Sequence, residues 1–106
     1  PNESVEQSPR LATTLPHEDL AEVIYVDHYG NAFTGMRADG APQTRRLAVA
    51  GLEIAHARVF GDAPPRGAFW YANSLGLVEV AVNGGSAAAT LGLGIGTPLD
   101  WAAERR

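Results

Sequence analysis

The sequence predicts an all-β fold, a small antiparallel β-barrel with one short helix. Short runs of β-branched and aromatic residues recur at roughly ten-residue spacing, the rhythm of a sandwich or barrel. Turn-forming clusters separate them, as at Asp39-Gly40, Pro64-Pro65 and Asn83-Gly84. A length of 106 residues suits one domain with a modest core.

The elements follow in order along the chain. Residues 1 to 19 are polar and carry Pro9 and Pro16, so they read as a flexible lead-in or interdomain linker, with the barrel over residues 20 to 106. EVIYVD, 22 to 27, has the composition of a strand. A turn around Gly30 precedes a short second strand at 32 to 36, and RADGAPQT, 37 to 44, is a loop. RRLAVAGLEIAHARVF, 45 to 60, reads as two strands folded at Gly51, with Leu52, Ile54, His56 and Arg58 on one face and Glu53, Ala55, Ala57 and Val59 on the other. AFWYAN, 68 to 73, and LVEVAVN, 77 to 83, are further strands across the GDAPPRG break at 61 to 67. GGSAAATLGL, 84 to 93, holds the helix, capped by Ser86. TPLDW, 97 to 101, supplies a last strand.

Composition narrows the function. The formal net charge is -4 and every basic residue is Arg, with no basic run, so nucleic acid and anionic membrane are poor partners. The chain has no cysteine, which removes disulfides and thiol chemistry and fits a cytoplasmic protein. No apolar run reaches the roughly 18 residues of a membrane-spanning helix. The chain begins with Pro1, which suits a processed product or a piece of a longer protein.

Several polar residues sit where chemistry could use them. Asp27 ends a strand ahead of a glycine turn. Its carboxylate suits either an Asx turn on nearby backbone N–H groups or an incoming ammonium. His28 reads as a solvated bystander, and neither His17 nor His56 gives it metal-ligand spacing, so no metal is expected. Tyr29 and Phe33 are core residues or a platform for a flat ring, and Asn31 offers both donor and acceptor. NSLG, 73 to 76, is a hairpin loop or a polar clamp; without an acid, a His or a nucleophile elbow, Ser74 is a poor nucleophile. The glycines of 82 to 96 lack both a Walker lysine and a βαβ context, so phosphate-loop and dinucleotide readings fail. No triad or acid–base pair is legible, and no catalytic residue is assigned in this chain.

Three blocks in order carry more than each does alone: EVIYVDHYGNAFTG, ARVFGDAPPRGAFWYANSLGLVEVAVN and NGGSAAATLGLGIG. Together they resemble the C-terminal domain of the S-adenosylmethionine hydroxide adenosyltransferases (SAM hydrolases) and the related fluorinases and chlorinases, over about residues 20 to 101. The resemblance implies a larger protein with an N-terminal α/β domain absent from this chain, assembled as a homotrimer. It implies that SAM binds between this barrel and the α/β domain of a neighbouring subunit. SAM is then the substrate, cleaved by water or hydroxide at C5′ to adenosine and methionine, with no cofactor or metal. Asp27 would hold the methionine ammonium, and Asn73 with Ser74 its carboxylate and amine. Asn31 would read the adenine edge, with Tyr29, Phe33 and Phe60 packed around adenine or ribose and Asn83 and Gly84 lying against adenine.

Two positions depart from the pattern. Leu75 stands where the fluorinating enzyme carries Arg, which leans toward the hydroxide branch. Gly35 replaces an expected Asn and is expected to loosen the loop after Phe33. The alternatives are a freestanding, non-catalytic β-barrel binding or assembly module, and a halogenase that uses halide as nucleophile.

Overall fold

The computed structural model describes residues 20–38, 41–42, 44–58, 63–64 and 66–103. The lead-in expected at 1 to 19 and the candidate Phe60 lie outside them. Three hairpins build most of the molecule: β1 (Leu20–Val26) with β2 (Ala32–Arg37), β3 (Leu47–Val49) with β4 (Leu52–His56), and β5 (Ala68–Ala72) with β6 (Leu77–Val82). A one-turn helix α1 (Ala87–Leu91) and a short β7 (Leu99–Trp101) complete it. Ser86 caps α1, its hydroxyl accepting the Ala89 N–H at 3.0 Å.

The strands form one sheet in the order β1-β2-β6-β5-β4-β3-β7. Its two edges meet. The Val23 N–H donates to the Thr97 carbonyl at 2.9 Å, the Gly96 N–H donates to the Val23 carbonyl at 2.7 Å, and Glu22 bridges Pro98. The sheet is thus a nearly closed barrel, which uses up edge groups that would otherwise template another strand. The antiparallel expectation holds at every pairing except one. β4 and β5 run parallel, with Ala55 opposite Phe69 and His56 opposite Trp70. The reason is the connection: β4 leads into the long segment 57–67, which returns the chain to the same end of the barrel, whereas a tight turn would reverse it.

Alternation along the strands sorts side chains to the two faces. Val78, Val80 and Val82 of β6 pack inward with Val23, Leu47, Ile54, Trp70 and Leu99. Trp70 is the largest fully buried side chain. Its indole N–H donates to the Arg45 carbonyl at 3.0 Å, and its ring meets His56 and Trp101 edge-on at 4.7 and 4.9 Å. Truncation of such a residue costs about 3–5 kcal/mol.

Strand β2 is irregular. It is in step with β6 at Phe33–Glu79 and again at Arg37–Leu77, so it holds extra residues between those points. Buried Thr34 repairs the interrupted ladder: its hydroxyl donates to the Val78 carbonyl at 2.8 Å and accepts the Met36 N–H at 3.1 Å. Gly35 lies inside this stretch of strand, not in a loop, and it tightens the fold where loosening was expected. A Cβ added there would fall 2.7 Å from Leu20 Cβ and 2.9 Å from the Leu20 carbonyl oxygen, so only glycine lets the start of β1 cross β2 so closely. Gly35→Ala is therefore expected to destabilise the domain by about 1–3 kcal/mol. Chemical denaturation checks this, and an unchanged midpoint would rule out the close approach.

Candidate functional site

Two hairpin turns with the same internal wiring frame the site. In the first, Asp27 Oδ1 accepts the N–H groups of Tyr29 and Asn31, both at 2.9 Å, and the Gly30 N–H donates to the Asp27 carbonyl at 3.0 Å. In the second, Asn73 Oδ1 accepts the N–H groups of Leu75 and Leu77 at 2.9 and 3.1 Å, and the Gly76 N–H donates to the Asn73 carbonyl at 2.9 Å. Gly30 and Gly76 hold φ of 85° and 79°, which closes each three-residue loop as a type I turn plus bulge. The Asx-turn reading of Asp27 is thus correct for one of its oxygens. The other oxygen takes no hydrogen bond among the described residues. The Asn73 turn has the opposite remainder: its Nδ2 is buried and donates to no described residue. One turn leaves a free anionic acceptor and the other a free amide donor.

The turns stand at opposite ends of β6, and between them a row of side chains crosses the outer face of the sheet. Tyr25 of β1 lies opposite Phe33 of β2, Phe33 opposite Glu79 of β6, and Glu79 opposite Tyr71 of β5. Tyr25 and Phe33 meet edge-on at 5.5 Å. Glu79 is only 4% exposed, and its Oε2 accepts the Tyr71 hydroxyl at 2.5 Å. Neither Glu79 nor Asp27 forms an ion pair among the described residues. The Tyr71 phenol is pushed above the ordinary tyrosine range, chiefly by burial, then by its bond to Glu79, with the charges of Glu79 and Asp27 adding to it. By strand alternation Asp27, two residues beyond Tyr25, borders the same face.

The remaining predicted residues are distributed around this face. Tyr29 projects from the first turn and is largely exposed, in edge contact with His28 at 5.3 Å. Ser74 and Leu75 form the exposed tip of the second turn. Asn83 and Gly84 follow β6 at the same end as the Asp27 turn, where the Ala88 N–H donates to the Gly30 carbonyl at 2.9 Å. Gly30 is further required there because a Cβ would sit 1.9 Å from Ser86 Oγ. Asn83 already serves the fold. Its side-chain amide donates to the Ala63 carbonyl at 2.9 Å, and its backbone pairs with Arg66 and Gly67. It thereby ties down Ala63, Arg66 and Gly67, and Ala57 and Ala63 pack on Phe69 and Ala81.

Sequence reasoning missed Tyr71 and Glu79. The one signal for them was the single acid in the middle of an otherwise apolar strand, LVEVAV. Among the described residues no group of three or more His, Cys, Asp or Glu side chains is placed to hold a metal, and no helix is long and apolar enough to cross a membrane.

A small, nearly closed barrel with polar turns at both ends of one strand is the class these observations define. Residues 21–100 match the family described as the SAM hydroxide adenosyltransferase C-terminal domain, and the chain belongs to that family. It is 47% identical over 97 residues to an (R)-S-adenosyl-L-methionine hydrolase of Salinispora arenicola, a match covering 85% of this chain and 36% of that protein. It is 38% identical over 99 residues to the enzyme of the same name from Thermus thermophilus, covering 93% of this chain and 38% of the relative. The fold matches a crystal structure of a conserved hypothetical protein from Thermus thermophilus with a TM-score of 0.69 and 40% identity, over 76% of this chain and 34% of that one. An uncharacterized conserved protein from Thermotoga maritima matches with a TM-score of 0.68 and 27% identity, over 77% and 35% of the two chains. The chain thus spans little more than a third of the length of these relatives.

The raised Tyr71 pKa has a consequence for stability. Above about pH 10 an unfolded tyrosine loses its proton, whereas folded Tyr71 keeps it. The unfolded state then binds fewer protons, so stability falls as pH rises. Tyr71→Phe is expected to flatten the decline between about pH 9.5 and 11. Urea denaturation across that range measures it, and equal slopes in the two proteins would contradict the environment assigned to the phenol.

Proposed function

We propose that this chain is the SAM-binding barrel of a SAM hydrolase and supplies one wall of a substrate pocket. The observation that carries the reading is the uncommitted Asp27 oxygen beside an aromatic row, in a chain of this family. The spare Asp27 oxygen suits the ammonium of the methionine end. Asn31, Tyr29, Phe33 and Phe60, with the Asn83-Gly84 segment, are assigned to adenosine, through one amide edge and apolar ring contacts. The substrate class follows from the names of the relatives and includes their R configuration at sulfur.

The reaction balances without a cofactor or a metal. Water attacks C5′, the C5′–S bond breaks with its electron pair going to sulfur, and a proton is released, giving adenosine and methionine. The sulfonium is a neutral leaving group once the bond breaks, so the role of this domain is to aim C5′ for in-line displacement. The nucleophile-handling groups belong to an α/β domain outside this chain, contributed by a neighbouring subunit of a homotrimer. Leu75 offers no charge beside Ser74, in keeping with water or hydroxide as the nucleophile in place of halide. The cysteine-free composition is in keeping with a cytoplasmic enzyme.

Asp27→Asn separates binding from folding, because the Asn73 turn shows that an amide oxygen makes the same cap. In the full-length protein this variant should keep its melting temperature while kcat/KM for (R)-S-adenosyl-L-methionine falls about 10²-fold. Chromatography of adenosine and methionine follows the reaction. Turnover at the wild-type rate in Asp27→Asn would remove Asp27 from the site.

A further inference from the structure

Glu79 is an unusual residue for its position. It sits in the middle of a strand whose six residues are all buried, and among the described residues its carboxylate accepts one hydrogen bond, from Tyr71. A buried carboxylate with a single neutral partner and no cation is costly, and an apolar side chain of similar volume often serves stability as well or better. Its neighbours show what it faces. It does not point into the valine core, since Val78 and Val80 on either side of it do. It points to the outer face, between the rings of Phe33 and Tyr71 that lie opposite it on the two adjacent strands. Asp27, two residues beyond Tyr25, borders the same face. Two carboxylates and two aromatic rings therefore share a face, and neither carboxylate is ion-paired to a described residue.

We infer that Glu79 is a specificity-determining residue that makes this face select a ligand with two positive centres over one with a single positive centre. The inference rests on the SAM reading above and deepens it. SAM carries an ammonium charge at the amino acid and a second charge at the sulfonium. Asp27 answers the first. Glu79, flanked by rings whose faces also attract cations, answers the second. Because the Tyr71 O–H is committed to Glu79, the phenol oxygen presents acceptor character to a ligand, which reinforces the preference. S-adenosylhomocysteine has the same adenosine and amino-acid ends but a neutral sulfur, so the comparison isolates the charge.

The test uses the full-length protein and two variants. Glu79→Gln keeps the shape and can still accept the Tyr71 hydroxyl. Glu79→Met removes both charge and hydrogen bond with little change in volume, and it is expected to fold even if the amide is not tolerated. The readout is the ratio of the KM for (R)-S-adenosyl-L-methionine to the inhibition constant for S-adenosylhomocysteine, with the inhibition constant for adenosine as a control. In either variant the preference for SAM over S-adenosylhomocysteine should fall about tenfold, as expected for a lost charge several ångströms away at an intermediate dielectric, while adenosine binds as before. A purely structural role would lower the melting temperature or weaken all three ligands together, and either pattern with an unchanged preference overturns the inference alone. Wild-type protein that neither binds nor cleaves SAM overturns both the inference and the reading beneath it.

Discussion

Burial of β6 on both faces is the constraint on which the rest of the structure depends. All six of its residues are buried. One face carries Val78, Val80 and Val82 into the barrel core, and the other carries Leu77, Glu79 and Ala81. A strand of this kind needs neighbours on each edge and cover on each side. Strands β2 and β5 supply the edges, the barrel interior covers one face, and Ala57 and Ala63 pack over part of the other. Beyond them the row from Tyr25 to Tyr71 crosses the face, with Glu79 itself buried between Phe33 and Tyr71.

The same strand organises the polar groups. Its two ends lead to the second turn and to the Asn83-Gly84 segment, and its partner β2 begins at the first turn. Each turn commits one side-chain oxygen to its own backbone, because a three-residue loop leaves N–H groups that would otherwise be unsatisfied. The choice of Asp in one turn and Asn in the other has no bearing on that shared local role. It matters only for the atom left over. A substitution that respects the cap can therefore still change the charge left over.

Near-closure of the barrel gives these groups a stiff frame. The β1 edge is tied to the 96–98 segment by two backbone hydrogen bonds, and the Gly35 crossing brings Leu20 down onto β2. Thr34 closes the gap in the ladder that the extra residues of β2 would open. Sites built on strands and braced turns hold geometry more closely than sites on long loops, which suits a domain whose proposed role is to orient a substrate.

By itself the sequence determined most of the elements and the turns that frame the candidate site. Alternating β-branched runs separated by glycine and proline mark the strands, the Ser86 cap marks the helix, and three ordered motifs mark the family, because all of these are local patterns. Asp27, Asn31 and Asn73 were legible for the same reason: each lies in a short turn whose chemistry is written in neighbouring residues. Only the tertiary structure decided the parallel pairing of β4 with β5, the role of Gly35, and the meeting of Glu79 with Tyr71 beside Phe33. Those depend on which strands lie side by side and on the path of a long connection. Such long-range facts leave no periodicity in the chain, and a lone glutamate in an apolar strand cannot announce its partner until the barrel brings it there.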